Sequence, residues 1–168
     1  MPRDGGGGLM TDARIELLLE FMDQACAGPA WHGPSLLGSL RGVTAEAAMR
    51  RPAPGRHNVW ELALHAAYWK YVVRRRLTRD ETLEFPRSPS NWPAPPAVPT
   101  DAAWKADRAL LKREYLLLRE VVARFPVNQL SRRGWRSRWT NLQHIEGIAS
   151  HDLYHCGQIQ LVKKLTAV

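Results

Sequence analysis

The chain has 168 residues, 45% of them hydrophobic and 24% charged, with a formal net charge of +8. That length suits one domain able to bury its own core. No apolar run approaches the ~18 residues of a membrane span, and the N-terminus lacks the apolar core of a signal peptide. The two cysteines, Cys26 and Cys156, make neither a disulfide framework nor a thiolate zinc site, so a cytoplasmic protein with reduced, buried thiols is expected.

The positive charge raises nucleic acid as a partner, but its distribution argues otherwise. Arg74, Arg75, Arg76 and Arg79 fall at the end of a predicted helix, where cations complement the helix dipole. Arg132, Arg133, Arg136 and Arg138 fill a late loop, and no nucleic-acid motif accompanies them.

Residues 1–9, with glycine at positions 5–8, read as a flexible tail, and residues 10–168 as a single domain. Thr11 is the expected cap of a first helix, followed by Asp12 and an apolar face of Ile15, Leu18, Leu19 and Met22 that ends before Gly28-Pro29. Ser35 and Thr44 each open a short helix, the second stopped by Pro52 and Pro54. Asn58-Val59-Trp60-Glu61 has the form of a capping box and opens a long helix to about Leu77. Its stripe of Leu62, His65, Trp69, Val72 and Arg76 sets a histidine among apolar residues. Taken alone, such a histidine reads equally as a core residue with one satisfied hydrogen bond.

Six prolines between residues 86 and 99 make an extended connection. A link of that length suits a crossover that brings the next helix parallel to the last, with Trp92 pinning the loop to the helices. Thr100 caps a third long helix that carries Trp104, Leu111, Tyr115, Leu118 and Val122 as far as Phe125-Pro126. A second capping box, Thr140-Asn141-Leu142-Gln143, opens the last helix, expected to reach about Leu165. Four long amphipathic segments without alternating strands predict an all-α four-helix bundle.

The last helix carries His144, His151 and His155 on one face. Residues four apart stack on a helix, so His151 and His155 can reach one metal. His144 lies about 10.5 Å along the axis and cannot join them. A third ligand must come from a facing helix, and His65 is the candidate, while His32 and His57 fall in loops or at a helix start. Three neutral imidazoles suit Zn²⁺ or Ni²⁺ and leave a coordination position open. No glutamate stands between the pair, so a zinc-protease arrangement with its built-in base is excluded. Asp152 points about 100° away and is expected to orient a neighbour or face solvent.

These segments together resemble the DinB/YfiT-like superfamily of metalloenzymes. The resemblance is carried by Trp31-His32-Gly33-Pro34-Ser35-Leu36, by His57-Asn58-Val59-Trp60-Glu61-Leu62 with His65 and Trp69-Lys70, by Asn91-Trp92-Pro93, and by Gly147-Ile148 with His151-Asp152-Leu153-Tyr154-His155-Cys156-Gly157-Gln158-Ile159. It implies an up-down-down-up bundle, commonly a homodimer, with a divalent metal on His65, His151 and His155. It also implies a small-molecule substrate, since some relatives look like thiol-dependent S-transferases or isomerases using bacillithiol or mycothiol.

Two chemistries follow for a metal held this way: hydrolysis by an activated water, or S-transfer from a low-molecular-weight thiol held as thiolate. Trp31, Trp69, Tyr154 and Gln158 are the candidates to line the pocket. The alternative is a non-catalytic metal-binding or stress-response module whose basic surface docks an acidic partner or nucleic acid.

Overall fold

The computed structural model describes residues 12–167. The expected glycine tail and Thr11 lie outside the described residues. The fold is all-α: α1 (Ala13–Cys26), α2 (Leu36–Ser39), α3 (Ala45–Met49), α4 (Val59–Thr78), α5 (Asp101–Ala123) and α6 (Asn141–Leu165), with a 3₁₀ turn at Val127–Gln129. No strand is found among the described residues, only two isolated bridges.

The helix starts follow local chemistry. Ser35, Thr44, Asn58, Thr100 and Thr140 each accept a backbone N–H of the first turn through the side chain. Both capping boxes close reciprocally, Glu61 reaching back to Asn58 and Gln143 to Thr140. At α1 the cap is Asp12, one residue later than expected. Its carboxylate accepts from the backbone N–H of Arg14 at 2.9 Å and also takes the Arg14 guanidinium, so one group satisfies two donors.

α4 packs on α5 and α6, and α1 packs on the same two helices. Their apolar faces form two clusters. One holds Trp60, Trp104, Leu111 and Ile159, and the other Ile15, Met22, Val73, Leu118 and Ile145. On α4 it is Val73 that is buried, while Val72, assigned to the stripe from its spacing, is only half-buried. The helix buries a wide face against two neighbours, and this turns the stripe by one position.

Several polar groups inside this core are paired. Trp60 donates its indole N–H to Asp107 at 2.9 Å, and Trp104 donates to the Val43 carbonyl at 2.7 Å. Arg74 meets the buried Glu114 at 2.8 Å, and Arg119 holds Asp23 through two bonds of 2.7 and 2.8 Å. Lys70 of α4 and Asp152 of α6 are both buried and form an ion pair. Both cysteines are free and buried, as expected for reduced thiols. The Cys156 thiol donates to the Pro34 carbonyl at 3.0 Å and so ties the turn before α2 to α6.

The loop before α6 is seated on His144. That histidine is buried and shares a hydrogen bond of 2.8 Å with the Ser137 hydroxyl. Gly134 passes over the ring so closely that an added Cβ would stand 2.7 Å from His144 Cδ2. A Gly134→Ala variant is therefore expected to lose about 1–3 kcal/mol by overpacking, read from the midpoint of urea unfolding. An unchanged midpoint would show that the loop can lift away without cost.

Candidate metal centre

α4 brings His65 to α6 two turns after its cap, and α6 presents His151 and His155 one above the other. Their ligand atoms all lie within 4.8 Å of one another. His151 Nε2 stands 3.2 Å from His65 Nε2 and 3.0 Å from His155 Nε2. Three Nε2 atoms thus converge from two helices.

The ring orientations are set from behind. His65 Nδ1 lies 2.5 Å from the backbone carbonyl of Asn91. A carbonyl only accepts, so the proton sits on Nδ1 and the Nε2 lone pair faces inward. His155 Nδ1 donates in the same way to Gln158 Oε1 at 2.7 Å. Trp92 stacks on His65 with ring centroids 3.8 Å apart and on His57 at 3.6 Å, so it is clamped between them. His57 is held in turn by Glu61 at 3.1 Å. Asn91 has a left-handed φ of 72°, which turns its carbonyl to His65 while its side chain accepts from the Trp69 indole at 2.9 Å.

Burial keeps all three imidazoles neutral. It lowers His151 to about 3, helped by His155 and His65, and lowers His155 to about 4. His65 is lowered for the same reason, against the opposing pull of the Asn91 carbonyl. Neutral imidazole is the form that binds a metal.

The donor set leaves a defect that a cation would cure. His151 Nδ1 is buried with no hydrogen-bond partner. If its proton is on Nδ1, that donor is orphaned and three lone pairs confront one another. If it is on Nε2, it can serve one neighbour while Nδ1 is left an orphaned acceptor. One divalent ion among the Nε2 atoms would satisfy all three lone pairs, and no carboxylate or thiolate competes within the cluster. The residues therefore fit a divalent metal.

Of the pocket candidates, Trp69 packs by its ring against His65 and His151 at 6.3 and 6.2 Å. Tyr154 meets His155 edge-on with ring centroids 5.1 Å apart but is 64% exposed. Gln158 orients the His155 ring by accepting from it. Trp31 is 99% exposed, and no ring or hydrogen-bond contact among the described residues joins it to the triad. A cavity of about 730 Å³ adjoins the centre, with His151 and Trp69 in its wall.

Three features escape a reading of spacing. The Asn91 carbonyl is a backbone atom without a sequence signature. His57, set aside as a loop histidine, supports the centre through Trp92. Asp152 turns inward, away from solvent, and the neighbour it orients, Lys70, lies 82 positions away in the chain. For Trp92 the signal was present: a lone tryptophan in a proline-rich connection must pack on something.

Searches of curated proteins and of solved structures find no match. The family model described as the DinB superfamily matches residues 31–159. That span includes His65, Asn91, Trp92, His151 and His155 and covers most of the described chain. The chain belongs to the DinB superfamily.

Proposed function

We propose that this chain is a divalent-metal-dependent enzyme acting on a small molecule, with His65, His151 and His155 as the ligands. One observation carries the reading: three neutral Nε2 atoms converge beside a cavity with no anionic side chain among them. Such a set keeps the full charge of Zn²⁺ or Ni²⁺ available to an incoming group. When bound, the ion would supply Lewis acidity toward a water or thiol, which supports a hydrolase or a thiol-dependent S-transferase. The chain's own part is to hold the site rigid. Asn91 and Gln158 fix the tautomers of His65 and His155, and Trp69 and Trp92 shield the imidazoles from water.

The scaffold proposed for this site is one domain over residues 10–168, an up-down-down-up four-helix bundle. Contacts at both ends support it. Early α4 meets early α5 through Trp60 and Asp107, and late α4 meets mid α5 through Arg74 and Glu114, as parallel helices joined by a crossover would. His65 meets His155 while Val73 shares a cluster with Ile145, as antiparallel helices would. A cytoplasmic homodimer is proposed as the working form. Exposed Leu17 and Phe21 on α1, which lie together beside Leu142 of α6, support it.

The test is elemental analysis of untagged protein, with His65→Ala beside it. About one metal ion per chain is expected for wild type and none for the variant. Wild type without metal, and unable to take up Zn²⁺ or Ni²⁺ on reconstitution, would sink the reading. With Co²⁺ in the site, a change in the visible spectrum on adding a low-molecular-weight thiol supports S-transfer, and no change across the plausible thiols removes it. Sedimentation of the same sample reads the assembly, and a monomer would remove the dimer.

A further inference from the structure

The cavity beside the triad is polarised along its length. On α6 its wall runs from Gln143 to His151, so the triad lies at one end and His144 near the other, about 10 Å away. Trp69, Val73 and Arg76 face it from α4 at spacings of four and three. The wall therefore changes from aromatic and aliphatic next to His151 to cationic next to His144. The loop before α6 closes that far end with Arg136, Arg138 and Trp139. Glu146 is the one carboxylate in the lining.

These guanidinium groups are not equally engaged. Arg136 meets Glu81 at 3.0 Å and lies 4.4 Å from the Trp135 ring centre, so its charge is partly answered. Arg138 rests over Trp139 at 4.7 Å without an ion pair among the described residues. Arg76 is half-buried and also makes no ion pair among the described residues. Its position in the last turn of α4 suits the helix dipole, yet Arg75 and the exposed Arg79 at that helix end meet the same need. A half-buried guanidinium that faces an apolar cavity carries a desolvation cost which an anion in the cavity would offset.

We propose that this cavity binds a small organic acid anion, its charged head on Arg76 and Arg138 and its apolar body along Trp69 and Val73. The reacting group would then lie at the triad, about 10 Å from the charge. The proposal rests on the metal-dependent reading for what happens at the triad end, and the anion site itself stands on the arginines.

Calorimetric titration of the full chain with phenylacetate, phenylbutyrate and phenylhexanoate, each beside its uncharged amide, tests it. The longest acid is expected to bind best, and at least tenfold more tightly than its amide. Arg76→Gln is expected to remove about tenfold or more of that affinity, the share of a hydrogen bond to a charged group. Arg124→Gln removes the same charge from an exposed site paired with Glu120 and should leave binding unchanged. Equal binding of acid and amide, equal losses in the two variants, or no saturable binding by any acid would overturn the proposal. So would an affinity that survives Arg76→Gln but falls when metal is stripped by a chelator, since the carboxylate would then sit on the metal. His65→Ala separates the two readings: it should lose metal and keep phenylhexanoate. If it kept its metal, the triad assignment would fail with the anion site intact.

Discussion

Replacing Lys70 with methionine is expected to destabilise the fold by about 3–5 kcal/mol, because it strands a buried carboxylate. Lys70 is 1% exposed and Asp152 3%, so neither charge has water to fall back on. Burial alone would drive the Lys70 ammonium toward neutrality, but the Asp152 carboxylate, with Cys26, holds its pKa above the ordinary lysine value, while burial pushes the Asp152 carboxyl up against the opposing pull of Lys70. The methionine fills nearly the same volume, so lost packing contributes little and the loss reports the orphaned charge. Adding Asp152→Leu should recover most of the loss, since a buried pair exchanged for apolar residues is often neutral or better. Urea unfolding of the two single variants and the double variant closes the cycle. A Lys70→Met loss below about 1 kcal/mol, the range of solvated pairs, would mean that water reaches the pair.

The pair also bears on the metal centre. Lys70 lies five residues after His65, and Asp152 directly follows His151. It ties α4 to α6 about one turn from the histidines and so helps to hold the Nε2 atoms together. Zn²⁺ affinity of Lys70→Met is therefore expected to fall along with stability, even though no ligand has been changed.

Below pH 6.5 the metal-free chain should lose stability steeply. The sign follows from the histidines: their ordinary value is 6.5, while His151 is lowered to about 3 and His155 to about 4 in the folded state. Between those values the unfolded chain binds protons that the folded chain refuses, so each pH unit downward favours unfolding. Each histidine contributes at most about 1.4 kcal/mol per pH unit, less where water reaches the ring. Stability from this source is complete above pH 6.5 and falls as pH drops toward 4 and then 3. His65, lowered in the same direction, adds to the slope. Thermal melts of chelator-treated protein across that range check it, with His151→Leu as the comparison. The variant should show a shallower pH dependence. Parallel curves would show that the rings already titrate freely in the folded chain.

Metal should steepen the acid dependence of the loaded protein, since protons and the ion compete for the same nitrogens. Release of Zn²⁺ as pH falls, followed by a chromogenic chelator, gives a readout independent of activity.

How much of this was legible before any coordinates depended on distance along the chain. The caps at Ser35, Thr44, Asn58, Thr100 and Thr140 were readable because a cap is a matter of three or four residues. So was the His151–His155 pair, since residues four apart share a helix face whatever lies around them. The α1 cap shifted to Asp12 because a carboxylate and an arginine two residues apart offered a second bond. Spacing could also exclude His144, by its axial distance, and the structure finds that residue bonded to Ser137. His65 could be nominated from its apolar surroundings and from the family resemblance, but spacing alone left it a possible core histidine.

The remainder needed residues that the chain keeps far apart. Lys70 and Asp152 are 82 positions apart, and a lysine on a helix reads as solvated until a second helix is laid over it. Asn91 acts on His65 through its backbone carbonyl, which every residue possesses. The cationic end of the cavity joins Arg76 of α4 to a loop some sixty residues later, although Arg76 had a sufficient local explanation in the helix dipole. The sequence by itself thus determined the helices, their caps and the stacked histidine pair, because those interactions act within about a turn of chain. Only the tertiary structure decided which buried charges meet, what sits behind each imidazole and which way the cavity is polarised. Those are set by packing between helices, where side chains from remote positions share one small volume from which water is excluded.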